Sequence, residues 1–512
     1  MWPFKKKRKT GKRLYAGARY DRLVDDWVAQ GSSQDSEVKA SLPRLRYRSR
    51  QLGRDNEYVR QFFRAVQNNV VGQGIPFQAQ VRMQRGKGGK TPKLDDVTNS
   101  LIEAKWNEWC RAENCDTRGK LCFSEIERLV IRSVVESGEV LVRFVYQSMG
   151  SSKTPLALEV IESDLLDDNY NAVDEYGDVV RMGVAQNKWG RPTAYYFLPR
   201  HPGDYGVMPI EPQPPGRRIR VPAEDIIHLF PTERPGQSRG IPAVASAMMR
   251  LRQMQGYEEA EVIAARATAC QMGFIETPEG ELQGDDVRDG QQVEEFEPGK
   301  IRGLGPGEKF VPMNPTRPGG QFTPFIQTML RGIAAGIGAS YETISRDYSQ
   351  SNYTSSRLAL LEDRDNWRSI QWWMISHFHQ AVFEKFLDMA VLSGDLSLKN
   401  YETAPELYRN VKWMPRGWSW VDPAKEVAAY QAAVRNGFMT MSDVVSQSGG
   451  DIEELMTQRA QEVDLADEYD LVFDSNPAQT NTKGIEQPSD TGAQFGDAPA
   501  DTNASDTAKT TQ

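Results

Sequence analysis

Leu330-Arg-Gly-Ile-Ala-Ala-Gly-Ile-Gly-Ala-Ser-Tyr-Glu342 is followed, two residues on, by Ser345-Arg-Asp-Tyr-Ser-Gln-Ser-Asn-Tyr-Thr-Ser-Ser-Arg357. The first stretch closes an apolar, helix-forming run over 322–338, where Gly332, Gly336 and Gly338 allow close contact or bending. The second lies in a polar, tyrosine-rich segment, 339–355, without apolar period. Arg346, Tyr348 and Tyr353 are therefore poorly explained as core. Beyond it the pattern predicts a very long helix, 356–393, carrying Trp367, Trp372, Trp373, Phe378, Phe383 and Phe386. An aromatic series at that spacing reads first as helix core and second as a base-stacking platform.

Outward from this segment, the order of parts is consistent. Residues 242–272, rich in Ala, Met, Arg and Glu, predict a helix of roughly 45 Å at 1.5 Å per residue. Residues 273–318 break into short strands and turns. Further toward the start, Val59, Phe62, Phe63, Val66 and Val70 share one face of a helix over 53–71, which Gly72 ends. A second amphipathic helix covers 95–112, and a third, 125–137, has Ser124 as its expected cap. The period then shortens to that of strands: 139–146, 156–161, 193–198 and 226–230 are β-rich runs split by turn residues. Helices followed by a mainly antiparallel sheet give an α+β class. Two more helices are expected at 423–436 and 440–463. From Asp474 the chain offers almost nothing to bury and reads as disordered.

The chain has 512 residues, 39% hydrophobic and 26% charged, with net charge −8, enough for two to four sub-domains. No stretch reaches the roughly 18 apolar residues of a membrane span. Met1-Trp-Pro-Phe-Lys-Lys-Lys-Arg-Lys9 has a basic start with no apolar run behind it, so it does not read as a secretory signal. The charge is uneven. Residues 1–50 hold fourteen Lys and Arg against five acids and look loosely structured; residues 276–297 hold nine acids against Arg288. Cys110, Cys115, Cys122 and Cys270 match no zinc spacing and read as small hydrophobes.

No motif carries a reaction. Gly236-Gln-Ser238-Arg-Gly240 matches a nucleophile elbow, but Pro231–Pro235 separates it from the preceding strand, and the triad partners, Asp363 or Asp365 and His377 or His379, would sit together on one helix. Gly86-Lys-Gly-Gly-Lys90-Thr91 resembles the end of a phosphate loop, with Gln84 where the first glycine belongs and Pro92 blocking the helix start. Gly303-Leu-Gly-Pro-Gly307 lacks a strand–helix frame. His377 and His379, two apart, do not share a helix face for a metal. No cofactor and no metal site are expected.

From about residue 50 to 465 the chain resembles the lambda-type portal proteins of tailed phages. The resemblance rests on Gly236–Gly240 before the long helix and on the two stretches quoted first. Asp55-Asn56, Val70-Val-Gly-Gln-Gly74 and Trp106-Asn-Glu-Trp109 add to it. It implies a portal fold. Residues 1–49 would be a basic arm, 50–238 a helical and antiparallel-sheet wing, and 239–272 and 319–338 the stem helices around a clip at 273–318. Residues 339–356 would be a tunnel loop, 357–420 the tunnel helix and a return to the wing, 421–470 a helical crown, and 471–512 a disordered tail. It further implies a ring, usually of twelve subunits, at one capsid vertex of the virion, assembled in the host cytoplasm. Double-stranded DNA would pass through this channel, meeting Arg346, Tyr348, Tyr353 and Arg357, although Arg357 could instead form an intersubunit salt bridge with Glu362 or Asp363. Expected partners are the terminase large subunit, the major capsid or scaffold protein and a head–tail connector, with Glu294, Glu295 and Glu297 as docking residues. The family has no catalytic site. The alternatives are a serine hydrolase using Ser238 and a monomeric scaffold or adaptor of the virion.

Overall fold

The computed structural model describes residues 31–82, 94–204, 217–269, 273–276, 287–288, 291–292, 309–312, 322–349, 352–418, 423–447, 451–469 and 471. Residues 1–416 form one compact unit and 417–512 another.

The first unit opens with α1 (Gln34–Asp55), whose Ser33 cap accepts from the Ser36 N–H. Val38, Leu42, Arg46 and Ser49 are buried along it. This corrects the expectation of a loose arm up to residue 49. The charge-rich composition hid a helix because part of its inward stripe is an arginine and a serine. Asn56, in extended backbone, ends α1 and caps α2 (Glu57–Val70), accepting from Val59 N–H. The helix expected from residue 53 therefore starts at 57. Its five apolar residues are buried as the spacing predicts, and Gly72 stops it at φ 64°.

Next come α3 (Asp96–Trp109), the single turn α4 (Ala112–Cys115) and α5 (Phe123–Ser137). Cys122, not Ser124, precedes α5, and its N–H donates to Glu125 Oε2. Gly138 closes α5 in the left-handed region at φ 91°.

Strands β2 (Val140–Val145), β3 (Ala157–Ile161) and β9 (Ile226–Leu229) form an antiparallel sheet with β2 in the middle. Strands β4 (Ala172–Val173), β5 (Val179–Arg181), β6 (Val184–Gln186), β7 (Pro192–Phe197) and β8 (Ile219–Pro222) form a five-stranded antiparallel meander. Leu141, Ile161, Val184, Tyr195, Phe197 and Val221 pack between the two sheets. The class is α+β, as read from the sequence.

After a short 3₁₀ turn at Ala245–Ala247 comes α6 (Met248–Ala269). Strand β10 (Gly273–Glu276) pairs with β13 (Lys309–Pro312), and the two-residue strands β11 (Val287–Arg288) and β12 (Gln291–Gln292) pair with each other. Then α7 (Phe322–Ile337) runs back along α6. Ser246 Oγ donates to the Gly336 carbonyl at 2.8 Å, and Tyr257 stacks on Phe322 and packs at a tilt on Phe325, at 5.9 and 4.6 Å between ring centres. Contact positions rise on one helix as they fall on the other, so the pair is antiparallel.

The long helix is α9 (Tyr353–Met374), a π turn at Ile375–His379, and α10 (Gln380–Leu392). Trp367, Phe378, Phe383 and Phe386 are buried, whereas Trp372 is 70% exposed. The Trp106 ring lies within about 5.7 Å of Phe77, Trp109, Phe123, Phe383 and Phe386. This aromatic block sits where α3, α5 and α10 meet, and each buried ring contributes about 1.5–3 kcal/mol. The return segment adds α11 (Glu406–Arg409) and β14 (Val411–Trp413), which pairs antiparallel with β1 (Phe77–Ala79).

The second unit contains α12 (Pro423–Arg435), α13 (Met441–Gln447) and α14 (Ile452–Glu468). The helix expected over 440–463 is thus two. The tail beyond Asp474 and the glycine loop at Gly86–Thr91 lie outside the described residues.

Candidate functional site

The polar segment after α7 is shorter and better mounted than its sequence suggests. Gly338, at φ 71°, ends α7. Ser340 then caps a short helix, α8 (Tyr341–Ser345), accepting from the Thr343 N–H. The expected loop over 339–355 is therefore divided by α8 and closed early by α9 at Tyr353, leaving 346–349 and 352 as its described part. Ile344 is buried, and Gln61 of α2 donates to the Thr343 carbonyl at 3.3 Å.

Asp363 of α9 fixes the mount. It is 6% exposed and accepts from Ser340 N–H at 2.9 Å, Ser340 Oγ at 2.6 Å and Thr343 Oγ1 at 2.6 Å. Asn366, one turn further, donates to the Gly338 carbonyl at 2.7 Å. With these bonds Asp363 anchors the segment to α9 within its own chain. Serines and threonines that look like loop composition in the sequence are ligands of one buried carboxylate.

Arg346 follows α8 with φ 57° and ψ 19°, a left-handed conformation uncommon for a side chain of that size. Its neighbour Asp347 accepts from Ser349 Oγ and N–H at 2.6 and 3.0 Å and from Tyr341 OH at 2.7 Å. These donors, led by Ser349, hold its carboxyl down to about 2, so it stays charged. Arg331 lies over the Tyr341 ring, 5.5 Å from its centre. Tyr348 is 56% exposed and Arg346 is exposed; Arg357, in the first turns of α9, is half-buried. The Tyr353 side chain lies outside the described part of the structure, as do Glu294, Glu295 and Glu297. Of the predicted site residues, Arg346 and Tyr348 are exposed side by side just after α8, whose start is held by Asp363 and Gln61.

The Gly236–Gly240 turn has a different purpose from the one its pattern suggests. Ser238 Oγ donates to Asp35 Oδ2 at 2.8 Å and accepts from Gln186 at 2.9 Å. Each histidine is engaged elsewhere. His201 faces Glu162 at 3.5 Å, His228 bonds Glu139, His377 meets the Trp373 carbonyl, and His379 bonds Glu127 at 2.6 Å. Ser238 therefore has no imidazole base, and the hydrolase triad is not assembled. Asp363 is likewise bound to Ser340 and Thr343, far from that role.

Arg239 is the residue that matters in the turn. It is fully buried and meets Glu139 through Nε at 3.0 Å and Nη2 at 2.6 Å. It also donates to the Met182 and Ser163 carbonyls at 2.8 and 3.2 Å and pairs with Asp168. Arg46 of α1 adds a second guanidinium, 3.1 Å from Glu139, and His228 sits 2.9 Å from the other carboxylate oxygen. Burial alone would push Glu139 up; the Arg239 guanidinium and the His228 bond outweigh it and hold the carboxyl well below its usual range. Gly240 N–H donates to Glu139 as well, and a Cβ on Gly240 would lie 2.1 Å from the Gly138 carbonyl oxygen. This cluster ties α1, α5, both sheets and the approach to α6 into one joint. Sequence reasoning missed it. The available signal was an arginine between two glycines and a Gly-Glu pair just after a helix.

Glu162, Asp164 and His201 offer ligand atoms within 4.8 Å of one another. Arg50 already neutralises Glu162, at 3.6 Å, and Asp164. His201 Nδ1 accepts from Gly203 N–H at 3.0 Å. The two carboxylates are thus part of an ion-pair network with Arg50. Burial pushes the Cys115 thiol up, in keeping with a small buried hydrophobe rather than a nucleophile; Cys270 lies outside the described residues. No helix among the described residues is long and apolar enough to cross a membrane.

Comparison with known proteins supplies a family. The family model described as phage portal protein, lambda family, matches residues 20–371. A probable portal protein of Halomonas phage phiHAP-1 is 30% identical over 467 residues, covering 90% of this chain and 88% of that protein. Portal protein B of Escherichia phage lambda is 23% identical over 483 residues, covering 87% and 88%. A chain solved in the virion of a native gene transfer agent particle aligns with TM-score 0.41 and 15% identity, covering 81% of this chain and 93% of that one.

Proposed function

The chain belongs to the lambda family of phage portal proteins, and from that premise we propose that it is the subunit of a closed ring of twelve copies at one capsid vertex, through which DNA is packaged and later ejected. Heterologous contacts with rotational closure build such rings. The observation that carries the reading is the loop at 346–352. It projects Arg346 and Tyr348 into solvent from a base locked to α9 through Asp363 and to α2 through Gln61. A conduit needs side chains that touch passing DNA without gripping it, because strong phosphate contacts would stall translocation. Arg346 beside Asp347, whose carboxyl is held down to about 2 by its hydrogen bonds, meets that requirement.

The antiparallel pair α6–α7 forms the stem, with β10–β13 at the clip end. Residues 50–238 form the wing, to which 394–420 return; the β1–β14 pairing supports that return. Residues 421–470 form the crown. Apolar side chains left exposed by one chain, Val262 and Ile263 on α6 and Leu358 and Leu361 on α9, suit contacts with neighbouring copies. The family is structural, and the energy of packaging belongs to a separate terminase, whose large subunit docks on the ring. The head–tail connector uses the same face, with Glu294, Glu295 and Glu297 in the acidic clip segment as its contact; the capsid or scaffold protein holds the ring in the vertex. The test is removal of residues 346–352 from the full chain. Intact rings with impaired packaging or retention of DNA support the reading, and full, stable heads at normal titre exclude the loop from it.

A further inference from the structure

The last turn of α1, the middle of α2 and the C-terminal half of α5 enclose a surface cleft of about 460 Å³ that the conduit reading does not use. Five arginines line it: Arg54, Arg60, Arg64, Arg128 and Arg132. The lining contains one carboxylate, Glu136, and no aliphatic or aromatic side chain. Glu136 is already held by Arg132 through two bonds of 3.2 and 3.3 Å. In a chain of net charge −8, a concentration of five guanidiniums is not a sampling of the average surface.

The walls are fixed. Arg128 donates to the Gly72 carbonyl at 3.1 Å and to Asn68 at 3.3 Å. Arg132 lies over the Phe63 ring at 5.3 Å, and Arg54 pairs with Asp55 at 3.0 Å. Arg60 and Arg64 differ. Both are exposed, and among the described residues neither pairs with a carboxylate. They stand four apart on α2, about 5–6 Å between Cβ atoms, where two like charges weaken a helix rather than support it. As a pair of like charges they do not support α2, and an anion bound between them would offset their repulsion.

The chemistry of the lining selects the partner. A protein interface can be rich in arginine, but its core is built of apolar and aromatic side chains, and this lining has none. A nucleic-acid interface is polar and strongly positive, and arginine forks match phosphate oxygens. We propose that this cleft, with Arg60 and Arg64 at its mouth, is a second DNA contact outside the channel loop, binding the phosphodiester backbone of duplex DNA without reading its sequence. The identity of the polyanion rests on the chain being a portal; the cleft's charge and geometry do not.

The test uses the full chain and a labelled random-sequence DNA duplex. Binding is followed by fluorescence anisotropy across a salt titration for the natural protein, for Arg60→Gln/Arg64→Gln and for Arg60→Glu/Arg64→Glu. Light scattering is recorded on the same samples. Each lost phosphate contact removes about 0.9 from the slope of log affinity against log salt, so the glutamine pair flattens it by about 1.8 per chain. Affinity at low salt falls about tenfold, and further for the glutamate pair. The basic start of the chain, Lys5–Lys9, gives all three proteins the same background. Unchanged affinity and slope overturn the proposal. So does a change in assembly size, which would make the cleft a subunit contact, and so does loss of poly-glutamate binding with DNA binding intact, which would make the partner a protein. Failure of the portal reading looks different: single chains by scattering, whatever the slope does.

Discussion

Arg239 and Glu139 are 100 residues apart in the chain and meet as a fully buried, two-pronged ion pair at the joint between the sheets and α6. Breaking a buried pair from one side leaves an uncompensated charge, which costs about 3–5 kcal/mol. Arg239→Ala or Glu139→Ala should lower the thermal midpoint of the full chain by several degrees, and Arg239→Lys should not rescue it, because an ammonium cannot supply the Nε and Nη2 fork. A midpoint unchanged by Arg239→Ala would contradict this account of the joint.

The same pair sets a pH window. The Glu139 carboxyl is depressed in the folded chain, so its contribution to stability is complete above the unfolded value of about 4.3 and is lost as pH falls through the lower folded value. The stability gap between the natural chain and Glu139→Gln should therefore stay flat from about pH 8 to pH 5 and narrow only below roughly pH 4. Thermal unfolding at a series of pH values measures it. Narrowing already at pH 6 would mean that Glu139 is not held charged.

Ser238→Ala should remove the Oγ bonds to Asp35 and Gln186, cost about 1–2 kcal/mol and leave assembly unchanged. Any ester hydrolysis that vanished with it would revive the enzyme reading. Gly240→Ala should be far more damaging. The reason is space and not backbone sign: the added Cβ would sit 2.1 Å from the Gly138 carbonyl oxygen, and the left-handed glycine of this turn is Gly236, at φ 78°. Soluble yield and thermal midpoint of the two variants compare directly.

Much of this was open to sequence reading. The five apolar positions of α2 share a helical face, and burial follows that spacing residue by residue. The strands at 140–145, 157–161, 192–197 and 226–229 fall on the β-rich runs that turn residues mark off. What periodicity cannot show is a polar interior. The helix α1 was unread because Arg46 and Ser49 occupy its inward stripe, and their partners, Glu139, Asp164 and Asp168, lie about a hundred residues away. The mount of the 346–352 loop was unread for the same reason. Asp363 looks like any charge on a long helix until Ser340 and Thr343 reach it through the fold.

At the loop itself, backbone and function separate. Arg346 sits at φ 57°, where glycine is unstrained, so Arg346→Gly should leave stability level or raise it by up to about 1 kcal/mol. If the side chain meets DNA, the same change lowers packaging or retention of DNA. Tyr348→Ala should act likewise without altering the ring. Thermal unfolding and the DNA content of heads read the two effects independently.

Glu294→Gln, Glu295→Gln and Glu297→Gln together test the proposed docking segment. Electrostatic association is salt-dependent and charge-specific. Rings should form normally, and binding to terminase or connector should weaken and lose part of its salt sensitivity. Unchanged binding with an unchanged salt slope would make the acidic segment plain solvated surface.

Whether the chain closes into a ring can be seen by electron microscopy of the purified full-length protein in negative stain. Closed rings with a central hole wide enough for duplex DNA are expected. Particles of single-chain size, with light scattering showing monomers at every concentration and in the presence of head-assembly partners, would contradict the ring.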